Sequence, residues 1–90
     1  MLFMVIERFK NQDAKAVYQR FQEQGRMMPD GLKYIDSWVE ANFNRCFQLM
    51  ECDDPILFQQ WIANWQDLME FEIVPIASSA ETKNLITTIF

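Results

Sequence analysis

Residues 1–9 read MLFMVIERF, residues 45–52 read RCFQLMEC, and residues 71–76 read FEIVPI. Successive side chains of a strand point to opposite faces. In the first stretch Phe3, Val5, Glu7 and Phe9 share one face, and Leu2, Met4, Ile6 and Arg8 share the other. Both faces are therefore apolar over most of their length. A strand with one wet face alternates apolar and polar residues, whereas a strand covered on both sides need not. These stretches ask for cover on two sides, and the rest of the chain has to supply it.

Two amphipathic helices are legible between the strands. Asp13 is a natural N-cap for a helix from about Ala14 to Gln24, whose stripe is Ala14, Val17, Tyr18 and Phe21 at the i, i+3, i+4, i+7 spacing. Gly25 is a plausible stop, with Arg26-Met27-Met28 as a possible frayed turn, and Pro29-Asp30-Gly31 is a turn. The second helix is capped by Asp53 or Asp54, takes Pro55 at its first turn, and presents Leu57, Phe58, Trp61, Ile62 and Trp65, with Gln59, Gln60, Asn64 and Gln66 outward.

Residues 32–40, LKYIDSWVE, read as a strand paired through the turn Ala41-Asn42-Phe43-Asn44 with residues 45–52. Placing Glu40 opposite Arg45 pairs Trp38 with Phe47 and Asp36 with Leu49 on one face, and Ser37 with Gln48 and Ile35 with Met50 on the other. A three-residue loop would exchange the faces. The last strand covers about 69–76, and Pro75, awkward inside a ladder, makes it an edge strand or one that ends near there.

The order is β-α-β-β-α-β. Right-handed crossovers turn it into an α+β, ferredoxin-like four-stranded antiparallel sheet with both helices on one face and strands one and three in the centre. The expected organisation is a domain over residues 1–77 and a tail over 78–90. In the tail, Ser78 with Glu81 fits a capping box for a short helix at about 79–86, while ITTIF at the end would equally make a strand. Two helices leave the second sheet face bare, and a homodimer formed through that face is the expectation.

Bulk properties agree with an assembled small protein. Ninety residues, half of them hydrophobic and 14% aromatic, hold more apolar surface than one monomer core easily hides. A chain of this size buries only somewhat more than about 60% of its unfolded surface. Thirteen acidic against eight basic residues give a net charge of −5, with no Lys/Arg stripe, so neither nucleic acid nor a membrane surface is expected as a partner. The apolar N-terminus is short, lacks a basic region and runs directly into a strand, unlike a signal peptide. Cys46 and Cys52, six residues apart on one strand, lie about 20 Å from each other and read as small buried apolar residues of a reducing compartment. A cytoplasmic location follows as the expectation.

The chemistry is bounded by absences. The chain has no histidine, which removes the commonest general base and metal ligand and any Ser-His-Asp or Cys-His arrangement. Two cysteines at this spacing are no zinc pattern, and two turn glycines make no phosphate loop. Neither a metal nor another cofactor is expected. The candidate ligand-binding residues are Arg8, Tyr34, Asp36, Ser37, Trp38 and Gln48. Asp36, Ser37 and Gln48 are polar in otherwise apolar strands, either at an exposed edge or interface or in a ligand cavity. Glu7 is a possible buried base, or a solvated or paired carboxylate. Trp61 and Trp65 are core at helical spacing, or together with Trp38 walls for a planar ligand. With Arg8 as the one cation among the candidates, neutral flat or aliphatic molecules are expected over phosphorylated ones.

The segments MLFMVIERFK and YIDSWVEANFNRCFQLMECDDPILFQQWIANWQDLMEFEIVPI, with the turn PDGLKY, resemble the DUF3303 family over about residues 1–77, the hairpin and second helix being the specific part. That family is similar to the dimeric α+β barrel group, in which two ferredoxin-like sheets pack face to face. The resemblance implies the fold and the dimer and no catalytic residue. The group includes cofactor-free monooxygenases, haem-degrading enzymes and small isomerases; the missing histidine disfavours the haem branch. Three functions follow as expectations: a homodimer binding a small apolar or aromatic ligand, a cofactor-free monooxygenase or isomerase, and a structural protein with no pocket.

Overall fold

A computed structural model describes residues 1–89. The chain runs β1 (Leu2–Phe9), a short 3-10 helix (Lys10–Gln12), α1 (Ala14–Gln24), β2 (Lys33–Val39), β3 (Arg45–Glu51), α2 (Ile56–Ile62), β4 (Met69–Ile76) and α3 (Ser79–Ile89). The four strands form one antiparallel sheet in the order β2-β3-β1-β4. This is the α+β, ferredoxin-like sheet that the element order dictates. The two strands that are apolar on both faces hold the centre, and Pro75, which has no N–H to donate, lies on the edge strand opposite Phe3.

Local signals set the helix ends. Asp13 accepts from the Ala16 N–H at 3.2 Å and begins α1. Gly25, at φ +69°, ends it, its N–H reaching the Phe21 carbonyl at 2.7 Å. Asp54 accepts from the Ile56 N–H at 3.0 Å at the start of α2. The regular α-helix stops at Ile62, and the chain continues to Leu68 in successive turns that still carry Trp65 into the core. The tail forms the helix α3, whose Glu81 N–H donates to Ser78 Oγ at 3.0 Å.

One face of the sheet carries the core. Phe3, Val5, Phe9, Cys46, Met50 and Met69 are buried there against Val17 of α1 and Phe58, Trp61 and Trp65. Edge-to-face aromatic pairs join the layers, Phe3 with Phe58 at 4.8 Å and Trp61 with Phe71 at 5.4 Å between centroids.

The β2–β3 register is that of a four-residue turn. Trp38 faces Phe47, Asp36 faces Leu49 and Ser37 faces Gln48; Arg45 holds Glu40 through two bonds of 2.8 and 3.0 Å. The expected pair Ile35–Met50 does not form. A bulge between Tyr34 and Asp36 takes Ile35 out of the ladder and puts Tyr34 opposite Met50. Ile35 is consequently 47% exposed.

The opposite face bears Leu2, Met4, Ile6, Phe47, Leu49, Val74 and Ile76, all partly exposed, and Trp38, 51% exposed. Helix α3 contributes nothing to the core: Leu85, Ile86 and Ile89 are 59%, 50% and 58% exposed.

Candidate functional site

Glu7 and Gln48 are the two buried polar side chains of the core, at 2% and 8% exposure. The alternation of β1 puts Glu7 on the face of Val5 and Phe9, and that of β3 puts Gln48 on the face of Cys46 and Met50. Glu7 is flanked by Cys46 on one side and Phe71 on the other, with Gln48 as its diagonal neighbour. The Gln48 amide Nε2 donates to Glu7 Oε1. The other end of the amide, Oε1, is buried and has no partner.

A cavity of about 120 Å³ opens beside this pair, between the sheet and α1. Its polar lining is Glu7, Gln48, Ser37, Arg26, the Tyr18 hydroxyl and the Cys46 thiol; its apolar walls include Phe9, Val17, Phe21, Trp61 and Trp65. Two members of the α1 stripe, Tyr18 and Phe21, are 48% and 39% exposed, so they cover the cavity rather than join the core. The residues after α1 close another side. The Arg26 carbonyl accepts from the indole N–H groups of both Trp61 and Trp65 at 2.9 Å, and its guanidinium lies 3.7 Å from the Tyr34 ring centroid. Tyr34 and Ser37 share a hydrogen bond of 2.7 Å between their hydroxyls.

Burial sets the protonation of the site. Removal from water pushes the Glu7 carboxyl from 4.5 up to about 7, against the pull of Gln48, Cys46 and the Arg26 charge. Burial, with the Glu7 charge adding, pushes the Cys46 thiol up to about 12, so it is no nucleophile near neutrality. Burial also raises the Tyr18 hydroxyl above its ordinary value, with Cys46 and Glu7 adding. Glu7 is thus the one group lining the cavity placed to gain or lose a proton near neutrality. Among the described residues no three His, Cys, Asp or Glu side chains converge on a point, and no helix is long and apolar enough to cross a membrane.

The six candidate residues divide between the faces. Ser37 and Gln48 line the cavity, and Tyr34 stands next to it through Ser37 and Arg26. Arg8, Asp36 and Trp38 lie on the opposite face, away from the cavity. Arg8 follows inward Glu7 and is exposed, next to Glu70 and Arg45 on the flanking strands. Asp36 turns its Oδ1 to the Ser37 N–H at 2.8 Å. Arg26, Tyr18, Phe21 and Cys46 were not among the candidates. No local pattern marks Arg26, although an arginine directly after a helix-ending glycine is a position from which a long side chain can fold back.

No curated protein and no solved structure matches the chain significantly. A family match does exist, and it runs through the tail as well as the four strands. Over residues 1–90 the chain belongs to the DUF3303 family, a domain of unknown function.

Proposed function

We propose that this protein is a homodimer that binds a small aromatic or apolar molecule in the cavity between the sheet and α1. The observation that carries the binding reading is Gln48 Oε1, a buried acceptor with no partner beside a cavity. Leaving such a group unsatisfied costs about 1–3 kcal/mol, and a ligand that donates a hydrogen bond to it recovers that cost. The cavity is far smaller than the ~300 Å³ or more of a drug-sized site. Its size suits one ring, since an apolar cavity of about 150 Å³ takes benzene. A thermal-shift and NMR titration with phenol, benzyl alcohol and short aliphatic alcohols tests the reading. Stabilisation that Gln48→Leu abolishes is the expected result; no response to any compound would mean that the domain has a structural role.

The dimer reading rests on the open sheet face. Eight apolar side chains lie in one layer there, seven of them partly exposed and Trp38 51% exposed, and patches of this kind on soluble proteins mark interfaces. A second sheet laid on the first would give the face-to-face α+β barrel, with an interface expected above about 2,000 Å². Sedimentation should return a dimer at micromolar concentration, and Trp38→Asp should return a folded monomer. A wild-type monomer would exclude the assembly.

One observation favours a second reading, acid–base catalysis. A carboxyl at about 7 inside a cavity is matched to abstracting a proton near neutrality. That step would serve a cofactor-independent isomerase, or a monooxygenase that begins from a substrate carbanion. Glu7→Gln would then remove turnover while leaving ligand binding in place, whereas loss of binding alone would speak for the first reading.

A further inference from the structure

Arg26 is held at the cavity, and among the described residues it forms no direct ion pair, although its charge reaches Glu7 through space. Its backbone is pinned from the α2 side by the two indole N–H groups on its carbonyl. Its guanidinium lies over Tyr34 at 3.7 Å and near Phe21 at 5.0 Å from the ring centroids. Stacking uses the face of the guanidinium plane and leaves the N–H groups at its rim free to donate. Among the described residues that rim meets no hydrogen-bond acceptor, and no carboxylate lies within 4.0 Å of it. The contrast within the chain is direct. Arg20 grips Asp67 from Nη1 and Nη2 through two bonds of 2.7 Å, and Arg45 grips Glu40 side-on from Nε and Nη2. In a chain with thirteen acidic residues, an arginine held against two rings, acting on Glu7 only at a distance and forking no carboxylate, is an open anion position.

The cavity therefore offers two complementary groups, the Arg26 guanidinium and the Gln48 Oε1 acceptor that needs a donor. Its other walls are largely aromatic, and its volume has room for about one ring. We infer that the cavity takes a one-ring aromatic carboxylate that also carries a hydrogen-bond donor, the carboxylate meeting Arg26 and the donor meeting Gln48. This rests on reading the cavity as a binding site, and it makes Arg26 the residue that sets ligand class. A neutral ligand would leave the fork unanswered. A phosphate dianion would bring a second negative charge beside Glu7 and exceed what one fork can neutralise. The preference for neutral molecules expected from Arg8 is replaced, because the cation at the site is Arg26.

The test is isothermal titration of the full chain near neutral pH with para-hydroxybenzoate, its neutral isostere para-hydroxybenzamide, benzoate and phenyl phosphate. The expected order puts para-hydroxybenzoate about tenfold or more ahead of the amide, the difference of one charge-assisted fork. Arg26→Met should erase that difference, and Arg26→Lys should keep part of it and guard against a folding defect. Gln48→Leu should bring para-hydroxybenzoate down to the level of benzoate. If the amide binds as well as the acid, or phenyl phosphate binds more tightly, the inference is overturned while the cavity stands as a binding site. If none of the four compounds binds, the inference and the binding reading fall together.

Discussion

Replacing Glu7 by Gln removes the cavity's titrating group and keeps its shape, and the consequence can be worked from the structure. The carboxyl is 2% exposed and its proton is held up to about 7 instead of 4.5. Between those two values the folded chain keeps a proton that the unfolded chain has released. Below 4.5 the group is neutral in both states and costs the fold nothing. As pH rises through the window, folding has to work against ionisation of the unfolded carboxyl, and above about 7 the deficit is constant. Its size, at 1.36 kcal/mol for each tenfold change in proton affinity, is about 3 kcal/mol. Histidine, which would otherwise titrate here, is absent. The Cys46 thiol facing Glu7 does not blur the window, because burial pushes it up to about 12. Urea melts of wild type and Glu7→Gln at one protein concentration, from about pH 4.5 to pH 8.5, measure the effect. The wild type should lose stability with rising pH relative to the variant, by about 3 kcal/mol in all. The new amide can also donate to Gln48 Oε1, which shifts the variant curve by a constant and leaves the slope unchanged. A difference that stays flat across the range, or that grows in the other direction, would refute the burial of an ionisable Glu7.

Trp61 is 1% exposed, meets Phe71 edge-on and donates to the Arg26 carbonyl. Trp61→Ala should cost about 3–5 kcal/mol in denaturant melts and enlarge the cavity enough to weaken any one-ring ligand. Gly31 sits at φ +93°, and a Cβ there would lie 3.2 Å from Leu57 Cδ1; Gly31→Ala should destabilise by about 1 kcal/mol or more, read by the same melts. Both cysteines are buried and unpaired, so neither should react with a thiol reagent at pH 8 in the native protein, and both should react in urea.

Most of the framework is local in origin and was legible in the residues. Side-chain parity assigned the faces of β1 and β3, because a strand has a fixed two-residue repeat. Asp13, Gly25 and Asp54 marked helix ends through backbone groups within a few residues of themselves. Pro75, lacking an N–H, pointed to an edge strand or a strand end, and opposing Glu40 to Arg45 favoured the register observed, with a three-residue loop as the alternative. The element order then left few topologies open.

The site obeys a different logic. Parity puts Glu7 and Gln48 each on a definite face, and only the packing of β1 against β3 makes them neighbours. The bulge at Ile35 exchanges one residue for another in the ladder and leaves no trace in the hydropathy pattern. Tyr18 and Phe21 have helical core spacing, yet they line a cavity and stay 48% and 39% exposed. Arg26 looks like an ordinary turn residue until Trp61 of α2 and Trp65 of the turns after it donate to its carbonyl and Tyr34 receives its guanidinium. By itself the sequence determined which side chains share a strand face and where the helices begin, because those outcomes depend on chemistry within a few residues, and the element order with right-handed crossovers then pointed to a ferredoxin-like α+β sheet. Which polar groups meet around the cavity was decided by tertiary structure alone, because each meeting joins elements distant in sequence, and only packing the whole domain brings them within reach.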